Sequence, residues 1–511
     1  MEDNSSKNKQ IAKNTIYLYI RMVFVLIVGL YTSRVVLNVL GVSDYGVYNV
    51  VAGFVSLFSF LNATLSSSLQ RFYNYEGGNR GETGYTEVFS VGVKVHLLLA
   101  LVILLLLETV GIWYINNIMV LPGGRLASAN ILFQFSVISL FLVIIEIPFT
   151  SVIIAKEKMD FYAVVSILDV ILKLVIVIVL PYASQEKLIA YGFLLLCVTI
   201  IDFLLYFGYT KIKFKDLKVQ KNTNRSLLKQ LLSFSGWNLL GTFVFMLKGQ
   251  GLNLLLNAFF GTVVNAARGV AYQVHAAITG FSTNISVSFR PQMVSSYAEG
   301  NTQRAYNLFK TQSKICFCLI LMIITPVIFE IDLLLKLWLG NVVPQDTNIF
   351  TILVLIDALV CTLNSPVTQI VFATGKIKNY QILTSIINIF LLPICWVLLR
   401  LGMEAWVVFM VTIIISIINQ IIAILAMNRV FSFSIKDYLK QIILPCLLMM
   451  LIVPLVPYLL TCVMQDSIFR LIIVSFLSFL LSSVLLYSFF LSESEKNIAR
   501  SYMKKFFPVR S

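Results

Sequence analysis

Charge is scarce in this chain: only 12% of its 511 residues are Asp, Glu, Lys or Arg, against 59% apolar residues. With a mean hydropathy of +0.89, this balance excludes an ordinary soluble multidomain protein and places the chain in the membrane class. Histidine is nearly missing, with His96 and His275 the only two, which makes a zinc site improbable. The seven cysteines lie almost all in apolar runs and form no CxxC pair, so they read as packing residues rather than disulfides or metal ligands. No glycine loop for nucleotides, no metal-spaced His/Asp cluster and no nucleophile constellation appears. No connection between apolar runs is long enough for an extramembrane domain, whereas membrane polymerases and ligases of polysaccharide typically carry a large periplasmic loop. The expectation is a protein that is not an enzyme and has no metal or cofactor.

A helix needs roughly 20 apolar residues to cross the hydrocarbon of a bilayer. Scanning for such runs predicts fourteen spans, over residues 15–40, 46–70, 88–115, 130–155, 161–182, 188–210, 230–258, 264–289, 312–330, 349–373, 380–400, 405–428, 439–460 and 468–491. The first run is too long for a cleaved signal peptide and has no small-residue cleavage site after it. Of the 39 lysines and arginines, only Arg125, Lys187, Lys336, Arg400 and Arg470 fall in the odd-numbered loops. The tails and even-numbered loops hold the basic clusters, such as Lys211, Lys213, Lys215, Lys218 and Lys221. Positive charge is retained on the cytoplasmic side, so both termini of this multi-pass protein are expected there. The net charge of +15 then reads as a solvated face suited to anionic lipid headgroups rather than to nucleic acid.

Sliding the chain on itself by about 220 residues brings the first six spans over the next six. Asn38 and Arg71 repeat as Asn257 and Arg290, EVFSVGVK ending at Lys94 overlies NLFKTQSK ending at Lys314, and Pro148, Ala155, Lys158 and Tyr162 return as Pro366, Ala373, Lys376 and Tyr380. A six-span unit copied in tandem keeps its orientation, so the halves should be related by a pseudo-two-fold along the membrane normal. The expected fold class is an all-α polytopic membrane protein of about 14 transmembrane helices. Its parts would be an N-terminal six-helix lobe (1–210), a basic cytoplasmic linker (211–229), a C-terminal six-helix lobe (230–428), and two additional helices with a basic cytoplasmic tail (429–511).

Such an architecture leaves a cavity between the lobes, and seven cations fall inside predicted spans: Arg21, Arg34, Lys94, Lys173, Lys248, Arg268 and Lys314. Charge at mid-bilayer costs at least ~2.5 kcal/mol and normally faces water or a partner. Lys173 has Asp169 one turn before it, an ordinary i, i+4 pair. The other six are expected to make the cavity cationic. In the 264–289 span, Arg268, Tyr272, His275, Thr279, Ser282 and Ser286 follow 4, 3, 4, 3, 4 spacing and share one helical face. Asn49 and Ser56 lie at the repeat-related positions of the second span. Glu146, Asp202 and Asp357 are the acids considered for coupling to a proton or sodium ion. More fixed positive than negative charge suits an anion, and phosphate or pyrophosphate suits arginine forks.

The segments NTIYLYIRMVFVLIVGLYTSRVVLNVLGVSDYGVYNVVAGFVSLFSFLNATLSSSLQRF and FGTVVNAARGVAYQVHAAITGFSTNISVSFRPQM resemble bacterial polysaccharide repeat-unit flippases of the Wzx (O-antigen) type. These belong to the multidrug/oligosaccharidyl-lipid/polysaccharide exporter superfamily. The resemblance implies flipping of undecaprenyl-pyrophosphate-linked oligosaccharide from the cytoplasmic to the periplasmic leaflet by alternating access, for O-antigen or capsule biosynthesis. Its implied partners are the lipid-linked oligosaccharide, membrane lipids and other polysaccharide assembly proteins. It also implies basic residues on spans one, two, seven and eight, where this chain offers Arg21, Arg34, Lys248 and Arg268 but no base within span two. The rival readings are a multidrug or cation antiporter of the same fold and a non-transporting scaffold for polysaccharide assembly enzymes.

Overall fold

The computed structural model describes the backbone of residues 2–58, 80–156, 158–183, 186–220, 224–298, 300–374 and 376–490, with Lys496 and short pieces between 65 and 77; the side chains of 2–26, of 232–242 and of scattered positions elsewhere, several of them in 284–298, lie outside the description. Among the described residues there is no strand. The long helices, numbered here in chain order, are α1 (Glu2–Ser56), α2 (Glu82–Leu106, carried on to Asn117 through a π-turn), α3 (Leu126–Ala155), α4 (Met159–Val179), α5 (Lys187–Lys213), α6 (Arg225–Phe260) and α7 (Thr262–Ala298). They are followed by α8 (Thr302–Phe329), the short α9 (Ile331–Leu339), α10 (Thr347–Thr374), α11 (Lys378–Arg400), α12 (Trp406–Val430), α13 (Ile435–Val463, interrupted by a π-turn) and α14 (Ile468–Leu485). Eleven of the described helices are long and apolar enough to cross a membrane.

Local chemistry sets many of the boundaries. Asn224, Asn301, Ser434 and Ser467 cap α6, α8, α13 and α14, each accepting from a backbone N–H three residues on at 3.0–3.2 Å, as short polar side chains do at helix starts. α1 bends at Gly41, where φ is 77° and ψ 168°, so residues 2–40 and 42–56 form two limbs. Gly261, between α6 and α7, has φ 77° and ψ −168°. Only glycine enters this backbone region without strain, and the two glycines stand 220 residues apart in sequence. The predicted repeat is thus matched in backbone geometry. A second match lies deeper: Ser151 donates to the Ser66 carbonyl at 3.5 Å, and Gln369 donates to the Ser286 carbonyl at 3.0 Å.

Apolar burial falls into clusters that follow the two halves. One gathers Val47, Val51, Val88, Phe133, Ile147 and Val152 from α1, α2 and α3. Two others join α8 with α10, α12 and α13, and α6 and α7 with α10, α11 and α12. A fourth, with Val36, Leu37, Val177, Ala266 and Leu335, lies where the halves meet. Large apolar side chains such as Leu98, Leu105, Leu451 and Phe469 are exposed, as expected for a surface that faces lipid. The stretch 211–220 is fastened to α2: Ser90 accepts from the Gln220 N–H at 2.8 Å, and Thr86 donates to the Asp216 carbonyl at 3.3 Å. Leu227 and Leu231 of α6 belong to the first-half core, so α6 starts against one half and ends in the other.

The last two helices pack on α8, with Tyr438, Ile442, Cys446 and Met449 buried against its core. They are also tied by charge. Arg470, at the start of α14, donates to both carboxylate oxygens of Glu330 at 2.7 and 2.8 Å. Glu330 is 1% exposed and Arg470 5%, so this two-pronged pair is held out of water.

Candidate functional site

Between the halves lies a cavity of about 760 Å³. Its walls come from limb 42–56 of α1 on one side and from α6, α7, α10 and α12 on the other. Helical periodicity explains the lining. The expected stripe residues Asn49, Ser56, Tyr272, His275, Thr279, Ser282 and Ser286 all line it, together with Lys248 and Arg268. Of the three carboxylates considered for coupling, Asp357 lines it as well. Among the described residues the charged side chains of the wall are therefore Lys248, Arg268 and Asp357, a positive excess.

The two cations are held differently. Arg268 is 7% exposed; its guanidinium donates to the Gly249 carbonyl at 2.7 Å and lies 4.2 Å from the Tyr272 ring centroid. It is a fixed charge set into the wall, backed by a cation–π contact. Lys248 is half-buried and its Nζ lies 3.4 Å from Ser416 Oγ. The wall thus carries an ammonium at Lys248 beside Ser416 and an anchored guanidinium at Arg268.

Other expected residues lie elsewhere. Arg34 does not line the cavity: it is exposed and donates to the Leu337 carbonyl of α9 at 3.4 Å, because the first limb of α1 turns that face toward α9. Lys94 of α2 and Lys314 of α8 are also not among the lining residues, since neither helix borders the cavity. Glu146 of α3 and Asp202 of α5 are excluded for the same reason. The side chain of Arg21 falls outside the described residues.

Sequence reasoning marks Asn257 only as a repeat position and does not single out Gln250 or Asn253, which with it form a polar row on α6 at helical spacing. Asn253 donates to the Asn49 carbonyl at 3.0 Å. Asn265 donates to Asn253 Oδ1 at 2.9 Å, Asn257 to Asn265 Oδ1 at 3.1 Å, and the Val120 N–H to Asn257 Oδ1 at 3.1 Å. This amide ladder crosses from one half to the other at the end of the bundle marked by Gly41 and Gly261. Nearby, Trp338 donates to the Leu30 carbonyl at 2.8 Å and Gln273 to the Gly29 carbonyl at 3.1 Å. The halves are thus joined at the Gly41/Gly261 end, beside the cavity.

Glycines permit the close approach. A Cβ on Gly269 would sit 2.8 Å from Asn49 Oδ1, one on Gly53 would strike the Asn253 amide, and one on Gly46 would strike the Thr262 carbonyl. Every one of these contacts is between halves.

No protein-family model matches the chain, and no curated protein matches it. Solved structures do. The lipid II flippase MurJ, in an inward closed conformation, superposes with a TM-score of 0.73 at 17% identity, over 92% of this chain and 99% of that one. An inward-facing multidrug resistance MATE family transporter of the MOP superfamily gives 0.59 at 14% identity, over 80% and 92%. A MOP superfamily transporter from Pyrococcus furiosus, described as having a binding pocket of reverse polarity, gives 0.53 at 13% identity, over 81% and 95%. The chain is a multi-pass membrane protein with the fold shared by MurJ and the MATE transporters of the MOP superfamily.

Proposed function

We propose that the protein flips a lipid-linked, phosphate-bearing oligosaccharide between leaflets by alternating access. The observation that carries this reading is the cavity between the halves, with Lys248 and Arg268 set among hydroxyls and amides. Two bases against Asp357 favour an anion, and the surrounding polar groups suit sugar hydroxyls. A multidrug or cation antiporter would need the opposite balance. In this reading the guest is an undecaprenyl-pyrophosphate-linked repeat unit that moves from the cytoplasmic to the periplasmic leaflet of the inner membrane, for O-antigen or capsule assembly.

With the lysine-rich loops taken as cytoplasmic, the Gly41/Gly261 end faces the periplasm, and the amide ladder is the closed periplasmic gate. The headgroup enters from the cytoplasmic side, its lipid chain stays in the bilayer, and Lys248 and Arg268 offset the phosphate charge. Breaking the ladder then releases the headgroup outward. Asp357, with one carboxylate oxygen buried and unpaired, is the acid we assign to coupling with a proton or sodium ion. Deleting the gene should make lipid-linked repeat units accumulate on the cytoplasmic leaflet, read by leaflet-specific labelling of the glycan. Normal surface polysaccharide in the deletion strain, or intact translocation after Arg268→Glu, would overturn the reading.

A further inference from the structure

Beside the main cavity lies a second compartment of about 480 Å³, between α6, α10, α11 and α12. That volume is within the usual ligand-pocket range of about 300–1,000 Å³. Lys248, Cys361 and Ser365 line both spaces, so the ammonium stands where they adjoin. Lys248 is also the one charged residue on the compartment's described wall; the rest is amide, hydroxyl, thiol and hydrocarbon.

Two of those amides are incompletely satisfied. Asn364 Oδ1 accepts from Thr368 at 3.1 Å and from Tyr380 at 3.3 Å. With Oδ1 turned to those two hydroxyls, the amide leaves its Nδ2 buried without a partner. Across the space, Asn419 Oδ1 is buried and unpaired as well. One orphan needs an acceptor and the other a donor. A hydroxyl is both, and buried polar groups without partners are costly enough to call for an explanation.

The internal repeat narrows the guest further. The register that places Tyr380 218 residues after Tyr162 places Asn364 on Glu146. The neighbouring contacts agree: Ser166 donates to the Tyr162 carbonyl and Thr384 to the Tyr380 carbonyl, both at 2.9 Å. The first half therefore keeps a carboxylate at the position where the second half has an amide. An uncharged wall with an ammonium at its edge repels cations and supplies no second counter-charge for phosphate. We propose that this compartment is the saccharide-recognition site, seating the sugar unit next to the phosphate while the phosphate rests at Lys248. The assignment rests on the lipid-linked substrate proposed above.

Binding to the purified full-length protein, measured by microscale thermophoresis, tests it. The probes are undecaprenyl pyrophosphate, its N-acetylglucosamine-bearing counterpart and free N-acetylglucosamine. Wild type should bind the glycosylated lipid about tenfold more tightly than the bare one, the worth of one or two hydrogen bonds. Asn364→Leu and Asn419→Leu, each checked for an unchanged melting temperature, should lose that difference and keep the affinity for bare lipid. Lys248→Gln should weaken both lipids. Two leucine variants that retain the preference, or that weaken both lipids equally, would overturn the compartment's role alone. Failure of wild type to bind either lipid would overturn the transport reading and this one with it. Free sugar binding as tightly as the glycosylated lipid would overturn the lipid-linked assignment. Sodium that stabilises wild type but neither leucine variant would assign the space to a cation instead.

Discussion

Asn253 of α6 donates its side-chain amide to the backbone carbonyl of Asn49, 204 residues earlier, at 3.0 Å. The bond spans the two halves, and it is made beside Gly53, whose missing side chain leaves room for that amide. Asn253→Leu should remove it together with the bond from Asn265, at roughly 0.5–1.5 kcal/mol each. The equilibrium should shift toward opening at the Gly41/Gly261 end by about tenfold or more. Spin labels at the exposed positions Val120 and Val263, in a background without native cysteines, should show a longer distance by double electron–electron resonance.

The glycine seam gives an independent test of the same closure. Gly269→Val places methyl groups against Asn49, and Gly53→Val places them against Asn253 and Gln250. Both should hold the halves apart and reduce translocation by roughly 5-fold or more, since overpacking a fitted contact costs about 1–3 kcal/mol. Gly123→Val is the control: a Cβ at that position would have nothing within 4 Å, and surface polysaccharide should be unchanged.

Lys248 and Arg268 should respond differently to conservative exchange. Arg268 both donates to the Gly249 carbonyl and stacks on Tyr272, two tasks for a planar group that an ammonium does not reproduce. Arg268→Lys should therefore lower translocation by about 10- to 100-fold, the worth of one charged hydrogen bond at ~1.5–3 kcal/mol. Lys248→Arg, on a side chain that reaches into open space, should retain most of it. Complementation of a deletion strain, scored by surface polysaccharide, compares them directly.

The buried pair of Glu330 and Arg470 predicts a stability effect separate from transport. Arg470→Met strands a carboxylate that is 1% exposed, and such losses run at about 3–5 kcal/mol. The thermal unfolding transition in detergent should fall by several degrees. Adding Glu330→Gln should restore part of the loss, because the stranded charge is gone.

Hydropathy makes the helices legible because each span must satisfy its own backbone in lipid. The 264–289 stripe is legible for a related reason, since spacing fixes helical phase: Tyr272, His275, Thr279, Ser282 and Ser286 all reach the cavity. What spacing does not give is the neighbour that a face meets. Position within a span groups Arg34 with the cavity bases, yet its face of α1 meets α9. Lys94 and Lys314 hold matched places in the repeat, but neither is among the residues that line the cavity. The amide ladder is not legible because its rungs come from α1, α6, α7 and the turn after α2, and its polar row on α6 carries no charge to mark it as a site.

A single-copy ancestor of such a chain would have had to pair with an identical subunit in the same orientation, giving a vestibule with the same side chains on both walls. A vestibule of that kind offers a guest lying across it the same contacts at either end. A fused chain is free of that constraint, and here the bends at Gly41 and Gly261 are alike. One copy now presents Asn49 where the other presents Arg268, and Glu146 where the other presents Asn364. The chain is in effect a covalent heterodimer, its two walls free to make different contacts with the two ends of a guest.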